Sequence, residues 1–85
     1  MKKVIKFAGI EYEAINALSY EDFLLVMSGR IIRPRCIDFL GFASDNELLF
    51  RASFNRIFGI VYSNGFQSGS EATIVYFYEE VGKWV

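Results

Sequence analysis

The chain has no histidine, one cysteine, one proline and one tryptophan, and each shortage closes off some chemistry. Without an imidazole the commonest general base is missing, as are Ser-His and Cys-His nucleophile pairs. One cysteine and no histidine leave no structural zinc site, and no cofactor is expected. Cys36 has no cysteine to pair with inside the chain, so the expected compartment is reducing and the expected location cytoplasmic. It lies near Arg30, Arg33 and Arg35, which would favour a thiolate, but a lone cysteine with no histidine beside it is read as an inert buried thiol.

Long apolar runs are also missing. The longest uncharged stretch, Ile57 to Ser70, holds Asn64, Gln67 and several Gly and Ser, and is too short and too polar to span a bilayer. Lys2 and Lys3 precede Val4 and Ile5 in the manner of a signal peptide, but Lys6 and Glu11 break any apolar core. No phosphate-binding glycine pattern occurs, since the glycines of Gly65-Phe66-Gln67-Ser68-Gly69 have no lysine behind them. The close carboxylates, Glu11 with Glu13 and Glu21 with Asp22, read as solvated charges with nothing nearby to perturb them. Catalysis is therefore not expected.

What the chain does have is apolar bulk. Hydrophobic residues make up 53% and aromatics 18% of 85 residues, an excess that a small domain with little interior cannot easily hide. One domain over residues 1–85 is expected, with part of the excess in an interface. The net charge of −1 excludes a globally basic nucleic-acid binder but leaves room for a local patch.

The patterning leads to an α+β fold, an antiparallel sheet of about six strands with one short helix in the order β-β-α-β-β-β-β, the half-open barrel being the main alternative. Residues 2–15 read as a hairpin about Ala8-Gly9, setting Phe7 opposite Ile10, Ile5 opposite Tyr12 and Lys6 opposite Glu11. A helix is predicted over 20–28, with Ser19 as N-cap and Leu18 stapled to Phe23. Tyr20, Phe23, Leu24 and Met27 form its sheet-facing stripe, and Gly29 its stop. A third strand over 30–42 is irregular because Pro34 cannot donate to a ladder. In the next strand Leu48, Phe50, Ala52 and Phe54 alternate with Glu47, Leu49, Arg51 and Ser53, which places Arg51 on the polar face. Ile57–Tyr62 is apolar on both faces, as in a central strand. Ser63–Ser70 reads as a loose loop with one large aromatic, Phe66, and 71–79 as the last strand.

Two surfaces stand out. Every arginine lies between residues 30 and 56, and Arg33, Arg35, Arg51 and Arg56, with Phe66, are the expected partner-binding residues, since guanidinium groups suit bidentate recognition of carboxylate or phosphate. The strand Ala72–Tyr78 carries apolar groups on both faces between Glu71 and Glu79. One short helix covers only part of one face, so Val75, Tyr76, Tyr78 and Trp84 are the expected homodimer interface. The leading functional expectation is a non-catalytic macromolecular interaction module of adaptor, regulator or inhibitor type, binding a protein partner and itself dimeric. The alternative is a nucleic-acid binder that stacks bases on Phe or Tyr and holds phosphates with Arg. A small-molecule or peptide sensor with its site between helix and sheet comes third.

Overall fold

The computed structural model describes residues 3–29, 38–52 and 56–82, with the backbone alone for 27–29. Arg30, Arg33, Pro34, Arg35, Cys36, Ser53, Phe54 and Trp84 lie outside the described residues. The elements follow the expected order: β1 (Val4–Phe7), β2 (Ile10–Ser19), α1 (Tyr20–Gly29), β3 (Asp38–Ser44), β4 (Glu47–Arg51), β5 (Ile57–Phe66) and β6 (Ala72–Glu80). The six strands form one antiparallel sheet in the order β1-β2-β6-β5-β4-β3. The sheet curls into a half-barrel that brings its two outer strands together. At that seam the Phe7 ring lies so close to Gly41 that a Cβ there would sit 2.9 Å from Phe7 Cε1.

The first hairpin has the expected register: Ile5 opposite Tyr12, Lys6 opposite Glu11, Phe7 opposite Ile10. Its turn places Ala8 (φ 53°) and Gly9 (φ 81°) both in the left-handed region, the type I′ geometry that matches the twist of paired strands. At the start of α1 the Asp22 N–H donates to Ser19 Oγ at 3.1 Å, satisfying one of the orphan donors of the first turn. Phe23 docks on the sheet with its ring 5.5 Å from Phe58 and 6.1 Å from Phe77, and Leu18 packs in the same cluster, as a staple should. Leu24 departs from the expected stripe. It is exposed, whereas Tyr20 and Phe23 meet the sheet, and the Met27 side chain lies outside the described part of the helix.

The curl gives the sheet two buried faces. Outside, Phe23, Phe58 and Val75 form a cluster under the helix. Inside, Tyr12, Leu49, Ile57 and Tyr78 pack together, joined by Ile5, Phe7 and Tyr76. The alternation in β4 is thereby read differently. The face holding Glu47 and Leu49 is the lumen, and both side chains are fully buried, while Leu48 and Phe50 are only half-buried on the outer face. Charge on one face suggested solvent, but a curled sheet has no solvent on its inner side. The loop expected over Ser63–Ser70 also shortens. β5 continues to Phe66, held by the bond from Ser63 N–H to Glu71 O (2.9 Å) and that from Asn64 N–H to Ser70 Oγ (3.0 Å).

Candidate functional site

The strongest polar constellation lies inside the half-barrel. Glu47 opens β4 and its side chain has 0% of its surface exposed. The Tyr78 hydroxyl, from β6, donates to Glu47 Oε2. From the chain end leading into β1, Lys3 brings Nζ to 2.8 Å from Glu47 Oε1, with its side chain 35% exposed. The same Nζ lies 4.5 Å from the centroid of the Tyr76 ring, a cation–π contact. The rings of Tyr76 and Tyr78 are 6.2 Å apart. β6 and the segment before β1 thus converge on one carboxylate from β4, and the chain makes room for it with Gly59 on the neighbouring strand β5. A Cβ at residue 59 would fall well inside contact distance of Glu47 Oε2 and 3.0 Å from Tyr78 Cε2.

Electrostatics follow from this enclosure. Burial pushes the Tyr78 phenol well above its ordinary pKa, and the hydrogen bond to Glu47, the negative charge of Glu47 and the neighbouring Tyr76 push it the same way. Tyr78 therefore stays protonated and remains a donor to the carboxylate. Among the described residues Oε1 accepts no hydrogen bond of good direction, although the Lys3 ammonium is at ion-pair distance. Its interaction with Lys3 is chiefly Coulombic. Sequence reasoning passed over Glu47 in favour of Glu11, Glu13, Glu21 and Asp22. The available clue was Gly59 in the middle of a strand, which marks close approach by another group.

A second constellation lies on the outer face. β3 carries an irregularity between Phe39 and Gly41: Phe39 pairs with Phe50, Gly41 with Leu49 and Phe42 with Leu48. In a regular strand residues 39 and 42 would point to opposite faces. The extra residue puts both rings outside, 5.7 Å apart. Phe66, from the end of β5, adds its ring 5.2 Å from Phe42 and 5.5 Å from Tyr62. Phe39 in turn touches Phe50, which stacks on Phe58 beneath the helix. The result is a continuous aromatic row that starts buried under α1 and ends in the open, with Phe39, Phe42 and Phe66 54%, 61% and 44% exposed. Asp38 and Asp45, both exposed, stand at the two ends of β3.

The residues singled out from sequence fall in different places. Phe66 lies in the exposed row. Arg51 and Arg56 are exposed, with Arg51 opposite Asp38 in the β3–β4 ladder, and Arg33 and Arg35 lie outside the described residues. Of the expected interface residues, Val75 is fully buried under the helix cluster and Tyr78 nearly so in the lumen. β6 is paired on both sides, by β2 and β5, and the cover of Val75 and Tyr78 comes from α1 and from the curl of the sheet. Tyr76 is half-buried beside Lys3, and Trp84 lies outside the described residues. Among the described residues no helix is long and apolar enough to cross a membrane. Compared with protein-family models, curated proteins and solved structures, the chain matches none.

Proposed function

We propose that the protein is a non-catalytic interaction module that docks a protein partner on the exposed end of its aromatic row. The observation that carries this reading is the cluster Phe39, Phe42 and Phe66, three large rings in mutual contact and each about half exposed. Rings held by contact with other rings lose little further freedom on binding, which makes them efficient anchors. The flanking charges choose the partner class. Asp45, just past the end of β3, would repel the phosphates of a nucleic acid stacked on the row, whereas it complements an apolar protein surface with a basic rim. Arg51 stands across the β3–β4 ladder from Asp38 and offsets its charge, and with the exposed Arg56 it serves this reading as a secondary contact. The alternative nucleic-acid reading becomes one outcome of the test.

Peptides selected for binding from a random display library, together with the purified protein's scattering mass and 260/280 nm ratio, test this directly. The expected binders are apolar with flanking Lys or Arg, and lose affinity at least tenfold against the triple variant Phe39→Ser, Phe42→Ser, Phe66→Ser, which keeps the wild-type circular dichroism. Binders indifferent to the triple change would refute the assignment. So would a co-eluting nucleic acid that leaves at high salt.

A further inference from the structure

The carboxylate in the lumen is more than folding requires. Buried ion pairs can commonly be exchanged for well-packed apolar groups without loss of stability, yet this chain gives up a side chain at Gly59 to admit Glu47. The Tyr78 hydroxyl occupies Oε2, which fixes the carboxylate and leaves Oε1 turned toward the ammonium of Lys3. Among the described residues the Lys3 ammonium, at 2.8 Å, is what Oε1 faces. The Tyr76 ring flanks the same ammonium at 4.5 Å, with the Tyr78 ring 6.2 Å beyond it. A buried carboxylate beside tyrosine rings is what an ammonium receptor requires: the ring faces attract the cation and the carboxylate neutralises it.

We propose that this constellation is a binding site for the head of a primary alkylammonium ligand, and that Lys3 is its built-in occupant, displaced when the ligand enters. Lys3 precedes β1 and is 35% exposed against the fully buried Glu47, so its departure uncovers the carboxylate without unfolding a strand. The path that its side chain takes defines the ligand, an unbranched alkyl stem about as long as that of lysine, entering head first. The head must carry an N–H for Oε1, which excludes a quaternary ammonium, and a primary head matches the –NH3⁺ of Lys3 that it replaces. A free amine and a lysine side chain share this chemistry. Because the occupant is tethered, it competes at an effective concentration in the millimolar range, and it sets a threshold below which the site stays closed to outside amines.

The test vacates the site and refills it. Lys3→Ala removes the stem and the ammonium together, and Lys3→Ala/Glu47→Gln removes the receptor charge as well. Each variant and the wild type are titrated with n-butylammonium chloride, with Nα-acetyl-lysine methylamide, and with sodium chloride at equal ionic strength. Resonances of Tyr76, Tyr78 and Gly59 and the thermal midpoint are followed. In Lys3→Ala, butylammonium is expected to saturate shifts at those three residues and to raise the midpoint, while the wild type needs at least tenfold more amine. The double variant should respond to amine no more than to sodium chloride. If Lys3→Ala does not fold alone, recovery of its folded spectrum with butylammonium, and not with sodium chloride, reads the same binding. A response to butylammonium alone identifies a free amine as the source, and a response to both amines admits a lysine side chain. A Lys3→Ala protein that treats butylammonium as it treats sodium chloride overturns the proposal, as does a double variant that responds like the single one.

Discussion

Gly59→Ala adds one methyl group to a strand centre, and the structure makes it expensive. The backbone at 59 is not in the left-handed region, so alanine meets no conformational objection, and in a strand it would ordinarily gain about 0.5–1 kcal/mol over glycine. Here the new Cβ falls on Glu47 Oε2 and 3.0 Å from both Glu47 Cδ and Tyr78 Cε2. Glu47 cannot move aside freely, because its carboxylate is fully enclosed, bonded to Tyr78 and paired with Lys3. Overpacking of this kind costs about 1–3 kcal/mol, and a displaced carboxylate gives up a charge-assisted hydrogen bond worth about 1.5–3 kcal/mol. The expected loss is about 3–5 kcal/mol, from a total of roughly 4–13 kcal/mol for a chain of this size. With a urea slope of about 1–1.5 kcal/mol/M, the midpoint followed by circular dichroism falls by about 2–5 M. Glu47→Ala removes the obstacle, and in that background Gly59→Ala should cost less than about 1 kcal/mol, a coupling of about 2 kcal/mol or more. If Gly59→Ala stays within about 1 kcal/mol of wild type, or if the two costs add, the lumen is not packed as described.

Two further outcomes follow from the same contacts. The pKa of Tyr78 is raised in the folded protein, so above the unfolded tyrosine pKa, near 10, the unfolded chain releases this proton while the native one keeps it. Stability present below that pH is lost as pH rises, by up to about 1.4 kcal/mol per pH unit. Urea midpoints from pH 9 to 11 should therefore fall more steeply for wild type than for Tyr78→Phe, and equal slopes would contradict the assignment. On the helix, Phe23→Ala should cost about 3–5 kcal/mol and Leu24→Ala less than about 1, because Phe23 is buried and Leu24 exposed. Thermal denaturation showing equal costs would place both residues on the docked face.

How much of this was legible in the sequence depended on how local the cause was. The first hairpin could be read because Ile5, Phe7, Ile10 and Tyr12 fall opposite one another around a two-residue turn. The helix could be read because its cap and staple, Ser19, Leu18 and Phe23, lie within one turn of its start. The lumen could not, because Glu47 is buried by strands distant in sequence, and a charge in an alternating strand looks the same whether it faces water or a curled sheet. The exposed aromatic row was hidden for another reason. Period-two reading sends Phe39 and Phe42 to opposite faces, and only the irregularity around Gly41 unites them. Counting one helix against the two apolar faces of β6 left out the capacity of a sheet to cover itself, which is how Tyr78 comes to be buried.

The strand order has a consequence for how the chain assembles. Four of the five strand pairings join neighbours along the chain, and three of them make the meander from β3 to β6. Among the ladders, the β2–β6 pairing, from Tyr12↔Glu80 to Ser19↔Ile74, is the one that joins the first hairpin to the meander. Bringing Ser19 to Ile74 costs roughly 2 kcal/mol more in loop entropy than closing a hairpin turn, and the inner cluster gains Tyr12 against Tyr78 only after that step. The meander can therefore pair early, with its aromatic face uncovered, while the first hairpin and α1 wait for β6. Folding rate should respond most to changes along β2 and β6, which makes their shared ladder the kinetic gate of the whole sheet.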